Sequence, residues 1–136
     1  MASMLTNTTR DEQNCALARL GVLQQKIVRF GLMDSGVADQ EDDLVARLRP
    51  LITVETQVLA PWRGDFHPDH EACASAAEVV ARSVGAALIS YFFWTWHCGT
   101  LETVTGLKLQ KFGLSEATMA AKREALACRF ATQTRC

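Results

Sequence analysis

The chain has 136 residues, of which 49% are hydrophobic and 21% charged; this is globular usage and excludes a disordered chain. Three prolines and eight glycines argue against a strand-and-turn-rich or collagen-like architecture. A formal net charge of −1 excludes a whole-chain electrostatic grip on nucleic acid.

The charge is uneven. Residues 1–106 carry 8 basic and 13 acidic side chains, whereas residues 107–136 carry 6 basic and 2 acidic. Solvated helix faces account for such a split, and so does an anionic partner at the C-terminal end. The five cysteines, Cys15, Cys73, Cys98, Cys128 and Cys136, include no C-x-x-C pair and are odd in number. Reduced, mostly buried thiols in a cytosolic or nuclear setting are therefore expected. The opening Met1–Asn7 lacks the basic and apolar regions of a secretory leader. Between Arg82 and Glu102 lie 19 residues without formal charge, long enough to test as a membrane span. Interspersed Ser83, Ser90, Thr95, His97 and Thr100, with apolar periodicity continuing upstream, favour a buried helix.

The first predicted helix starts at Thr9, where Thr9-Arg10-Asp11-Glu12 fits a capping box. Ala16, Leu20, Leu23, Ile27 and Phe30 continue it, and Gly31 terminates it. A second helix is expected over residues 38–60. Leu44, Leu48, Leu51, Ile52, Val58 and Leu59 form its stripe, Asp39, Glu41, Asp42 and Asp43 its acidic start, and Pro50 a bend. Residues 61–67 read as a tip, and Pro68 as the first residue of a third helix running to Cys98. That rod would be about 45 Å long at 1.5 Å per residue. Its seam is Cys73, Ala76, Ala77, Val80, Val84, Ala87, Leu88 and Tyr91, and its end is aromatic: Phe92, Phe93, Trp94, Trp96. A short helix over residues 100–112 and a last one capped by Ser115, from Glu116 to about Thr132, complete the prediction, the last with Met119, Leu126 and Phe130 inward.

Few residues carry chemistry. His67, His70 and Cys73 fall at i, i+3 and i+6 with Asp69 and Glu71 between them, a spacing that puts zinc-ligand types on one helix face. Three soft ligands at a helix start are also an ordinary solvated N-terminus, so no metal is expected. His97-Cys98 pairs an imidazole with a thiol, but neighbours on a helix point apart. His70 or His97 could be a haem ligand, without a second pocket histidine to support it. With no phosphate-cradling glycine loop, G-x-S-x-G or H-E-x-x-H, neither an enzyme nor a cofactor is expected.

The long helix opened by Pro68, its Trp/Phe/His/Cys cluster, Gly99, Glu102-Thr103-Val104 and Phe112-Gly113 resemble the core (capsid) protein of hepadnaviruses and nackednaviruses. The resemblance implies a single all-α assembly domain over residues 1–136. Residues 38–98 would form an antiparallel helical hairpin, and 1–37 and 99–136 the base and the contacts between dimers. Two hairpins would dimerise as a four-helix bundle, and dimers would close an icosahedral shell, with a virion and host-cytoplasm location. On that reading Leu44, Leu48, Leu51, Cys73, Ala76, Val80, Val84 and Leu88 line the dimer interface. Phe92, Phe93, Trp94, Trp96, Leu107 and Leu109 fill the base, and Phe112, Leu114, Leu126 and Phe130 join neighbouring dimers. The partner is the chain itself; nucleic acid would need a basic tail absent here, and no membrane is involved. The alternative is a small non-enzymatic helical adaptor that binds a partner helix.

Overall fold

The structure, a computed structural model, describes residues 2–131, with side chains from Thr9 to Arg129. The chain divides into two compact units, one built from its two ends (to Arg29, and from Leu109), the other Phe30–Lys108.

In the terminal unit α1 (Ala2–Arg19) packs on α6 (Glu116–Ala131). A disulfide joins Cys15 to Cys128, and Cys128 and Ala125 are buried. The Arg29 guanidinium donates to Gln13 (2.7 Å) and Asn14 (2.6 Å), bringing the chain back onto α1. The Ser115 hydroxyl accepts the Thr118 amide at 3.2 Å and caps α6 where expected. The expectation of reduced thiols fails for Cys15 and Cys128; Cys73 and Cys98 are free thiols.

The first predicted helix stops eleven residues early. Gly21 takes φ +77°, the Val22 amide reaches the Leu17 carbonyl at 2.9 Å and the Gly21 amide reaches Ala18 at 3.0 Å. This is a Schellman close, which a left-handed glycine permits. The apolar period running on to Phe30 is thus carried by chain whose only helical piece is the 3₁₀ turn Gln24–Lys26.

The central unit corrects the all-α expectation. Its helix α2 spans only Glu41–Leu48. Pro50, lacking an N–H, falls in the 3₁₀ turn Arg49–Leu51 that ends it. Thr53 and Thr56 close the next turn, the Thr53 amide donating to the Thr56 hydroxyl and the Thr56 amide to the Thr53 carbonyl, both at 2.9 Å. Strand β1 (Gln57–Pro61) follows. Helix α3 begins at Pro68 as predicted but ends at Val84. Gly85 at φ +74° closes it through Ala86 N to Ala81 O (2.9 Å). Strand β2 (Ala87–Tyr91) then pairs parallel with β1 in the register Val58↔Leu88, Leu59↔Ile89, Ala60↔Ser90. Short helices α4 (Thr95–Cys98) and α5 (Leu101–Val104) complete the unit.

The architecture is a β–α–β unit with α3 packed against both strands on one side and α2 on another. Small residues let these layers approach closely: Ala72, Ala76, Ala77 and Ala81 are buried around Val80, with Leu44, Ile52 and Ala60 facing them. The helical hairpin expected over 38–98 is therefore absent. Of its seam, Ala76 and Val80 lie wholly inside the central unit, Leu44 is buried, and Leu51 is exposed. Leu48, Cys73, Val84 and Leu88 are half-buried, Leu88 on a strand. Among the described residues no helix is long and apolar enough to cross a membrane.

Two measurements check this account. Gly85→Ala forces a Cβ into a left-handed position and is expected to cost about 1 kcal/mol or more in denaturant unfolding. Reducing the Cys15–Cys128 bridge, or Cys15→Ser, releases a large loop and is expected to cost about 2–4 kcal/mol; coincident melts of oxidised and reduced protein would refute it.

Candidate functional site

Parallel strands end side by side, and in α/β sheets the crevice beyond their carboxyl ends is where ligands bind. Here the Trp62 amide donates to the Tyr91 carbonyl at 2.8 Å, extending the ladder past Pro61. Beyond it the chain after β1 makes the tip Trp62–His67, and the chain after β2 makes Phe92–Thr95.

Asp65 joins these two segments. Its side chain has no solvent exposure. One carboxylate oxygen accepts the amides of Phe93 (2.9 Å) and Thr95 (3.0 Å) and the Thr95 hydroxyl (2.7 Å). The other accepts the Trp94 amide (3.0 Å) and faces His70 Nδ1 at 2.7 Å. Burial alone would raise this carboxyl. The hydrogen bonds from His70, the Thr95 hydroxyl and the Phe93 and Thr95 amides outweigh burial and hold it well below the usual carboxylate range.

The tip is shaped to deliver that carboxylate. The Asp65 amide donates to the Trp62 carbonyl at 3.1 Å. Gly64 has the Trp62 indole where a Cβ would stand, 2.7 Å away, so a larger residue displaces the ring. Phe66 takes φ +60°, a left-handed conformation costing a non-glycine residue about 1 kcal/mol. That strain sits between Asp65 and His67, the two residues whose directions it sets.

His67 is the N-cap of α3 in extended conformation, and its Nδ1 accepts the Asp69 amide at 3.2 Å. An amide can only donate, so the neutral His67 ring carries its proton on Nε2. Asp65 is ionised and can only accept, so a neutral His70 ring carries its proton on Nδ1 and leaves Nε2 with a lone pair. The two rings lie 4.8 Å apart. The site thus sets one N–H donor beside one basic nitrogen. Asp69, by contrast, is occupied: its oxygens accept the Ser35 amide (2.7 Å) and the Val37 amide (3.1 Å), anchoring the 34–37 loop to α3.

Aromatic rings close around the pair. Trp94 stacks on His67 (6.3 Å, 14° between planes), Phe93 meets His70 edge-on (5.4 Å), and Phe93 meets Trp94 at 6.1 Å. A second group forms by edge contacts of Phe92 with Trp62 (5.3 Å) and Trp96 (6.1 Å). His67 and His70 could each offer a nitrogen to a metal. Among the described residues, however, no group of three or more His, Cys, Asp or Glu is disposed to hold one. The Cys73 thiol is half-buried and pushed up, first by that burial and then by the Asp69 charge, which opposes thiolate formation. His97 packs edge-on against Trp94 (5.8 Å).

The spacing of His67 and His70 is the part of the site that sequence reasoning singled out. Asp65 is the part it missed. Of the expected base, Phe92 meets Trp96 and Phe93 meets Trp94, while Phe93, Trp94, Trp96, Leu107 and Leu109 are all exposed. Phe112, Leu114 and Leu126 are exposed, and the Phe130 side chain lies outside the described ones.

A carboxylate-backed imidazole thus stands at the carboxyl end of a parallel β–α–β unit, where α/β folds place their ligands. The GlcNAc-PI de-N-acetylase (PIG-L) family model matches residues 2–81, more than half of the chain. The chain belongs to this family. The match includes Asp65, His67, Asp69 and His70 and ends within α3. No curated protein and no solved structure matches the chain. Membership overturns the resemblance to viral core proteins, and with it the capsid function and virion location. It also overturns the expectation that the chain is not an enzyme, and it lends no support to the adaptor alternative.

Asp65→Asn is expected to cost about 3 kcal/mol or more, because the amide group turns donors against donors. The sign of the pH effect follows from the depressed Asp65 carboxyl. Its contribution is present above the unfolded value near 4, and is lost as pH falls further toward the folded one. Wild type should therefore lose stability below about pH 4 more steeply than Asp65→Asn; equal slopes in acid unfolding would contradict the assignment.

Proposed function

We propose that the chain carries the histidine pair of an amide-hydrolysing centre that removes an N-acetyl group from an amino sugar. The observation that supports this most is the pair of opposite tautomers imposed on His67 and His70 by Asp69 N–H and the Asp65 carboxylate. Hydrolysis of an amide needs a group that takes a proton from water and one that gives a proton to the departing nitrogen. His70 Nε2 has the lone pair for the first task, and Asp65 stabilises the imidazolium that results. The His70 imidazolium then gives that proton to the departing nitrogen, and His67 Nε2–H donates a hydrogen bond to the acyl oxygen as charge develops on it. Water oxygen bonds to the acyl carbon, the C–N bond breaks, and acetate and the free amine leave. The substrate reading comes from the family's name, a de-N-acetylase of GlcNAc-PI.

The test is acetate release from N-acetylated sugars by the purified chain, with and without EDTA and with added Zn²⁺, since a carboxylate-backed imidazole is also a common metal ligand. His67→Gln and His70→Gln are each expected to lower the rate by about 10²–10⁴-fold with unchanged far-UV CD. Wild-type activity retained by both variants, or acetate release by none of the preparations, would overturn the proposal.

A further inference from the structure

The mechanism above leaves two rings at the site without a task. Trp94 and Phe93 touch both histidines, yet Trp94 keeps 39% and Phe93 55% of its surface exposed. Large aromatic side chains gain most by burial, so rings held open beside a catalytic pair ask for an occupant. Their backbone is not free to collapse inward. The Phe93, Trp94 and Thr95 amides are all bound to the Asp65 carboxylate, the same group that orients His70. One anion therefore fixes the distance between the reacting nitrogens and this aromatic surface. Whatever places its amide over His67 and His70 must lie against Trp94 and Phe93.

We infer that Trp94 and Phe93 are specificity-determining residues: they form a wall on which the pyranose ring bearing the N-acyl group packs its C–H face. This rests on the amide-hydrolase reading and names the part of the substrate the histidines do not touch. A sugar ring suits the wall, because its axial C–H bonds offer an apolar, slightly positive face to the negative face of an aromatic ring. Its hydroxyls stay directed to water and polar groups. A bare acetamide offers the same amide with nothing to pack.

The test reads the tryptophan indole N–H signals of the ¹⁵N-labelled full chain, assigned with single Trp→Phe variants, during titration with methyl N-acetylglucosaminide and separately with acetamide. The sugar is expected to move the Trp94 signal saturably and leave Trp62 in place, and acetamide is expected to leave both unmoved. Trp94→Leu and Phe93→Leu should each weaken sugar binding by about tenfold. Their effect on acetamide hydrolysis should be small, so sugar and acetamide rates separate a wall from a damaged fold. Sugar binding or hydrolysis with Trp94 unmoved and both variants unaffected would overturn the wall and leave the amide-hydrolase reading standing. No saturable binding and no acetate release from any N-acetyl compound would overturn both.

Discussion

The carboxylate of Asp65 is the joint on which the central unit turns. It is fully buried, it is charged, and it accepts five hydrogen bonds, one from His70 five residues on and four from Phe93, Trp94 and Thr95, 28 to 30 residues on. A buried charge is tolerated only when its lone pairs are filled, and here three backbone amides, a hydroxyl and an imidazole fill them. The requirement works in both directions. The chain after β2 must turn its amides inward to meet the carboxylate, and the tip after β1 must adopt its strained shape to present it. Gly64 under the Trp62 ring and Phe66 at positive φ are the local consequences.

From that joint the chemistry follows without further assumption about the fold. Parallel pairing of β1 and β2 puts both segments at one end of the sheet. Helix α3 begins at the same end, so its N-cap His67 and the next-turn His70 arrive beside Asp65. The carboxylate fixes the tautomer of one histidine, and a backbone amide fixes the other. Family membership is what the proposed amide hydrolysis adds to this geometry. The same anion holds the backbone of Trp94 and Phe93, so the histidine pair and the exposed rings beside it share one support.

Parts of this were legible in the sequence. Pro68 at the first turn of α3, the tip before it and the Ser115 cap of α6 stand where residue chemistry puts them. The strands were not legible. Val58-Leu59-Ala60 and Ala87-Leu88-Ile89 are short apolar runs that continue a helical period as readily as they form buried strands. Gly85 is the residue that decides between the two, and a lone glycine inside a periodic stretch is a weak signal until its φ is known. Misreading it lengthened α3 to Cys98 and produced the resemblance to a capsid spike. Asp65 was illegible for a different reason. Its partners are amides 28 to 30 residues away, and backbone donors leave no trace in residue identity. Alternation of Asp65, His67, Asp69 and His70 was the available clue, since carboxylates interleaved with histidines suit orienting pairs.

The central claim is that Asp65 and the Asp69 amide hold the two histidines in opposite tautomers, and long-range ¹H–¹⁵N correlation of the imidazole nitrogens in the folded chain tests it most directly. The account predicts that in the neutral rings His70 is protonated at Nδ1 with a bare Nε2, and His67 is protonated at Nε2. Two histidines with the same tautomer, or rings averaging between both as they do in free peptides, would contradict it.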